Sequence, residues 1–180
     1  MNKRVSVEVT DVKVFKSFLR LIEEYNLKWI LDKIDIVTNY GQIKLNNNNE
    51  LKSKLGKILS LIFGKEYFNE LLVGIDVNTL SDIILVVMAD GNIVLIQKTN
   101  FEKILDKIKD IIDLFNYKKL KIGVGNGNIY GDIVYKLIKE KYGDNVKLVD
   151  EKRTSSFNPY ITIKDEDIRA AVKIALSAML

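Results

Sequence analysis

Apolar positions change their period several times along this chain, and each change marks a predicted element. In Arg4–Val9 the valines at 5, 7 and 9 alternate with polar residues, which predicts a half-buried strand. Thr10 or Asp11 can cap the helix that follows, where Phe15, Phe18, Leu19 and Ile22 recur at helical spacing. Ile34–Val37 reads as a short second strand. The Asn46–Asn49 run predicts a loop, because asparagine side chains compete for the backbone bonds that helix and sheet need. Leu51, Leu55, Ile58 and Leu59 then mark a second amphipathic helix, with Gly64 placed to end it in the left-handed region. Residues 1–69 are therefore expected to form a small N-terminal α/β lobe. No catalytic motif lies within them.

The pattern is denser afterwards. Leu71–Val77 is a near-continuous apolar run ending in an acid, as expected of a strand buried on both faces. Ile83–Met88 and Asn92–Gln97 follow, with Asp90-Gly91 between them, a strong signal for a tight hairpin. Thr99 and Glu102 have the spacing of a capping box for a helix reaching Phe115. Leu120–Val124 predicts a strand, Ile129–Tyr142 a helix, Val146–Val149 a strand and Asp165–Met179 a closing helix. Three antiparallel strands are thus followed by helix, strand, helix, strand and helix, an order that fits an α/β fold with a mixed sheet and flanking helices.

Composition narrows the chemistry. The 180 residues are 47% hydrophobic and 29% charged, enough apolar surface for a packed core. No apolar run reaches a membrane span, and Lys3 and Arg4 are not followed by a signal-like segment, so a soluble, cytoplasmic protein with no membrane partner is expected. The chain has no cysteine and no histidine. Disulfides, thiol nucleophiles, Cys/His zinc sites and imidazole bases are excluded, which leaves carboxylate-bound hard metals as the natural catalytic option. A net charge of +4 permits nucleic-acid binding without requiring it.

Four segments carry a more specific message. Gly74-Ile75-Asp76 ends the apolar strand, and Ile122-Gly123-Val124-Gly125-Asn126-Gly127 closes the next strand but two. Asp150-Glu151-Lys152-Arg153-Thr154-Ser155 follows the last strand, and Asp165-Glu166-Asp167-Ile168-Arg169-Ala170-Ala171 opens the last helix. In this order they resemble the GID, VDER-T and D-x-x-A-A signatures of the YqgF family and the IGNG segment of YqgF-type domains in Tex-like transcription accessory proteins. The resemblance covers residues 70–180 and implies an RNase H-like domain of the Holliday-junction-resolvase (RuvC) and YqgF type. By matching position it implies Asp76, Glu151 and Asp167 as catalytic, metal-binding acids for Mg²⁺ or Mn²⁺. Asp150 and Asp165 become neighbouring or capping groups. The activity implied is metal-dependent phosphodiester hydrolysis on branched DNA or structured RNA, by a chain that pairs as a homodimer.

Physical geometry accommodates that implication. With the fourth strand between the first and fifth, the Cα atoms of Asp76 and Glu151 would be about two strand spacings, roughly 10 Å, apart. Two metal ions could then clamp a phosphate, one activating water and one steadying the leaving oxygen. Lys152, Arg153 and Arg169 flank the acids as candidate phosphate contacts, whereas Lys118 and Lys119 read as ordinary solvated strand ends. Plainer readings compete. Acids at a helix start are what the helix dipole favours, and a Gly-rich strand end serves as a turn. The sequence also departs from the family. Asn78 stands where a glycine usually follows the first acid, and Ala170 stands where resolvases have a further acid. A catalytically inactive nucleic-acid-binding or scaffold protein on the same fold is the alternative. An actin-like ATPase, loosely echoed by Gly74–Thr79, needs two such domains and ranks last.

Overall fold

The computed structural model describes residues 3–150 and 163–179 and divides into two compact units. The first comprises Met1–Phe68 with Asp110–Asn116, and the second Asn69–Lys109 with Tyr117–Leu180. Each has its own sheet.

In the first unit, β1 (Val5–Val9) lies between β2 (Ile34–Val37) and β3 (Ile43–Leu45), and both pairings are parallel. The alternation of valines puts Val5 and Val7 in the core. The strand β3 has no counterpart in the apolar pattern. It is three residues long, and side chains secure it: Gln42 Oε1 accepts from the Ser6 N–H at 3.1 Å, and Ser6 Oγ accepts from the Gln42 N–H at 3.0 Å. The helix α1 (Val12–Glu24) is capped by Asp11, which accepts from the Lys13 N–H. The helix α2 (Leu51–Ile62) ends in a Schellman arrangement. Gly64, at φ 71°, donates to the Leu61 carbonyl, and Lys65 donates to Ser60.

Two sets of contacts tie 110–116 to this unit. Asp110 pairs with Lys52 and accepts from the Tyr25 hydroxyl at 2.6 Å. An edge-to-face series of rings, Trp29–Phe63–Phe68–Phe115, has centroid separations of 6.1, 5.9 and 6.1 Å. Burial first, and then the bond to Asp110 and its charge, push the Tyr25 hydroxyl above the ordinary tyrosine range.

The second unit is built on a five-stranded sheet. It comprises β4 (Phe68–Thr79), β5 (Asp82–Ala89), β6 (Asn92–Thr99), β7 (Tyr117–Gly125) and β8 (Val146–Val149), in the order β6-β5-β4-β7-β8. The apolar run Leu71–Val77 occupies the centre, as its burial on both faces required. β4 pairs with β5 and β5 with β6 in antiparallel fashion, whereas β7 and β8 are parallel, so the sheet is mixed. Asp90 and Gly91 make the β5–β6 turn with φ of 46° and 82°, the left-handed pair a two-residue hairpin demands. The capping-box expectation needs correction. Thr99 stays in β6, and α3 (Ile104–Ile112) is preceded by a turn in which Asn100 accepts from the Lys103 N–H.

Helix α4 (Ile129–Tyr142) packs on β7 and β8, and α5 (Glu166–Ser177) packs on β5 and β7. The α5 contact is unusually close. A Cβ on Gly74 would lie 1.9 Å from the Ala171 carbonyl oxygen and 2.7 Å from the Ala175 nitrogen, and one on Gly123 would lie 2.6 Å from the Ile174 carbonyl oxygen. Around this contact Leu72, Ile84, Val86, Met88, Ala171, Val172 and Ala175 form one buried cluster. Burying each larger aliphatic side chain contributes about 1.5–3 kcal/mol.

Two outcomes are expected. Gly74→Ala should destabilise the protein by at least the 1–3 kcal/mol typical of overpacking, whereas Gly91→Ala, with nothing within 4 Å, should cost only about 1 kcal/mol for its left-handed backbone. Urea unfolding midpoints check both. Tyr25→Phe should cost about 1 kcal/mol at pH 7. Because folding raises the Tyr25 pKa, its contribution is complete below the ordinary tyrosine value and fades as pH rises above about 10. Tyr25→Phe should accordingly flatten that alkaline loss in unfolding curves taken from pH 7 to 11.

Candidate functional site

Asp76 occupies the C-terminal half of the central strand and is 5% exposed. Side chains alternate across a strand, and Gly74 faces α5, so Asp76 belongs to the α5 face as well. It sits opposite Ile84, itself a member of the cluster beneath α5. Removing a carboxylate from water to this depth is costly unless hydrogen bonds or cations replace the water.

The end of β4 is tied to the glycine-rich end of β7 through one side chain that sequence reasoning passed over. Asn128 donates from Nδ2 to the Val77 carbonyl at 2.6 Å, while its Oδ1 accepts from the N–H groups of Tyr130 and Gly131 and so caps α4. The C-terminal ends of β4 and β7 therefore lie at the same edge of the sheet. β8 runs parallel to β7, and the Asn126 N–H donates to the Val149 carbonyl, which brings the end of β8 to that edge too. Gly131 is required here, since a Cβ would lie 2.1 Å from the Gly125 carbonyl oxygen. The only sequence signal for Asn128 was its position before a helix, where asparagine is a favoured cap. Its second bond, to residue 77, is a long-range contact that no local pattern carries.

The remaining candidates sort by position. Asp165 is the cap of α5, accepting from the Asp167 and Ile168 N–H groups, each at 3.1 Å, so the capping role suggested for it holds. Asp167 lies half-buried in the first turn of α5, four residues before Ala171, the residue that touches Gly74. Arg169 donates to the Ile163 carbonyl at 3.1 Å and pairs with Glu166 at 3.4 Å, so part of its guanidinium ties the approach segment to the helix. Asp150 is exposed, as are Lys118 and Lys119. Glu151, Lys152 and Arg153 lie outside the described residues. Among the described residues, no group of three or more acidic side chains is gathered to hold a metal ion.

One further acid shares the face of Asp76. Asp82 lies two residues before Ile84 on β5 and accepts a long bond, 3.5 Å, from Asn78 Nδ2. Sequence reading treated Asn78 as a missing glycine and did not consider Asp82, because the acid is brought beside β4 by the hairpin rather than by any motif. Oxygen donors of this kind suit Mg²⁺ or Mn²⁺ rather than zinc. No family model matches the chain, and no curated protein or solved structure matches it either.

Asn128 can be tested by separating its two roles. Asn128→Asp keeps an oxygen for the cap and removes the donor to Val77, whereas Asn128→Ala removes both. The alanine variant should lose about 1–2 kcal/mol from the cap alone and more from the broken tie. Amide hydrogen exchange should quicken at Tyr130 and Gly131 in Asn128→Ala but not in Asn128→Asp.

Proposed function

We propose that the second unit is an RNase H-like domain of the RuvC/YqgF type and that the protein is a metal-dependent nuclease for branched DNA or structured RNA. The observation that carries this reading is the buried carboxylate of Asp76 on the central strand of a sheet ordered β6-β5-β4-β7-β8, whose first three strands form an antiparallel meander. In that arrangement the strand after the first helix lies between the first and last strands, as the RNase H-like layout expects. Asp76 would supply a first ligand to Mg²⁺ or Mn²⁺, and Asp167 and Glu151 would complete the set. A metal held there would activate water and stabilise the charge that develops on the phosphate. Arg153, Lys152 and the part of Arg169 not spent on Ile163 would neutralise the substrate backbone.

An inactive nucleic-acid-binding scaffold is the second reading, and a specific observation favours it. Gly74 and Ala171 are explained by the packing of α5, and Asp165 by capping, without any chemistry.

Metal response separates the two. Mn²⁺ at about ten times its dissociation constant should add roughly 1.4 kcal/mol of stability, a rise in Tm of about 3–6 °C for a chain of this size. Asp76→Asn should abolish both that rise and the cleavage of a panel of branched DNA and structured RNA, while leaving the metal-free protein as stable as before or slightly more so. An Mn²⁺-insensitive wild-type protein that binds nucleic acid without cutting it would establish the scaffold instead.

A further inference from the structure

The β4–β5 turn, the turn leading into α3 and the first turn of α4 together line a cavity of about 500 Å³. Leu80, Ser81, Asn100, Phe101, Glu102 and Tyr130 form its walls, and the volume is in the range of sites that take small ligands. The two turns are joined by the Phe101 N–H, which donates to the Leu80 carbonyl at 2.7 Å. The first turn is satisfied within itself, with Thr79 Oγ1 accepting from the Ser81 and Asp82 N–H groups at 3.3 and 3.1 Å. Other groups are not spent. Asn100 uses its oxygen on Lys103, but among the described residues its amide NH₂ has no partner, nor do the Glu102 carboxylate and the Tyr130 hydroxyl. Tyr130 is 38% exposed, and beside it on α4 Ile129 and Ile133 are 70% and 40% exposed. Tyr130 thus lines the cavity from a helix turn whose outward positions, ordinarily polar, are apolar and aromatic.

We infer that this cavity receives an unpaired nucleobase. The inference rests on the nucleic-acid reading above and refines its substrate to one with a base free of pairing. A planar ring gains most from the faces of Tyr130 and Phe101, because every base has a face that stacks on an aromatic side chain. The polar edge of the ring carries donors and acceptors together, and the cavity offers one of each: the Asn100 amide as donor and the Glu102 carboxylate as acceptor, the latter suited to an exocyclic amino group. A paired base presents neither its full face nor that edge. The position fits as well. Thr79 is three residues beyond Asp76 on β4, about 10 Å along the strand, so a base seated in the cavity keeps its own backbone near the end of the strand that carries the acid.

The test is fluorescence anisotropy in EDTA with a labelled 20-base-pair duplex carrying one central unpaired nucleotide and with the same duplex fully paired, each made as DNA and as RNA. The wild-type protein should prefer the bulged duplex in at least one of the two forms. Tyr130→Ala should weaken that binding about tenfold and leave the paired duplex almost unaffected, and Tyr130→Phe should retain it. Equal binding of both duplexes, an equal loss on both in Tyr130→Ala, or competition by free adenosine or cytidine monophosphate without any preference for the bulge would each overturn the inference. The Asp76→Asn variant keeps the two proposals apart. A bulge preference that depends on Tyr130 in a wild-type protein that neither responds to Mn²⁺ nor cuts sustains the cavity and refutes the nuclease. Cleavage that depends on Asp76, without that preference, does the reverse.

Discussion

The second unit depends on one close contact, the seating of α5 on the glycines of the sheet. With Gly74 and Gly123 lacking side chains, the helix backbone comes down until the Ala171 and Ile174 carbonyls occupy the space a Cβ would take. Small residues on the helix, Ala171, Ala175 and Ala178, complete the fit. Interiors are packed at the density of organic crystals, so such a contact leaves almost no freedom to slide. The register of α5 over the sheet is thereby set, and with it the position of everything on the helix's first turn, Asp167 included. Asp165 begins the helix and Arg169 fastens the preceding segment to it. These contacts position the candidate site within the unit.

Much of this was legible because the strongest sequence signals are local and redundant. The central strand announced itself as an apolar run, the β5–β6 turn as Asp90-Gly91, and α4 by its period, with the observed helix spanning the predicted residues. Weak or non-local determinants were not legible. The strand β3 is held by Ser6 and Gln42, polar residues that carry no strand pattern. Thr99 and Glu102 had the spacing of a cap, yet Thr99 is the last residue of a paired strand, and sheet bonding prevailed over a capping preference worth about 1 kcal/mol. The membership of Asp110–Asn116 in the first unit follows from Tyr25, Lys52 and the ring series, contacts between residues far apart in sequence.

The candidate site divides along the same line. Motif order drew attention to Asp76, Asp165, Asp167 and Arg169, and the structure gives each a defined place. It also shows that a motif residue can be accounted for by packing alone, as Gly74 is. Asn128 and Asp82 were missed since each acts through a partner on another strand or hairpin arm, Val77 for one and Asn78 for the other.

What packing does not account for is the carboxylate at residue 76. An apolar side chain there would extend the cluster of Leu72, Ile84 and Val86. A capping role would place an acid in a turn or ahead of a helix, as with Asp11 and Asp165, both at the surface. Asp76 is within a strand, 5% exposed, on the face shared with Asp82 and the helix that carries Asp167. Buried ionisable groups of this sort collect where a protein binds or reacts. The same reasoning distinguishes residue 76 from the rest of the motif set. Gly74, Ala171 and the capping Asp165 each serve the fold, so their presence argues for the architecture, whereas the acid at residue 76 is the one that the proposed metal site would use.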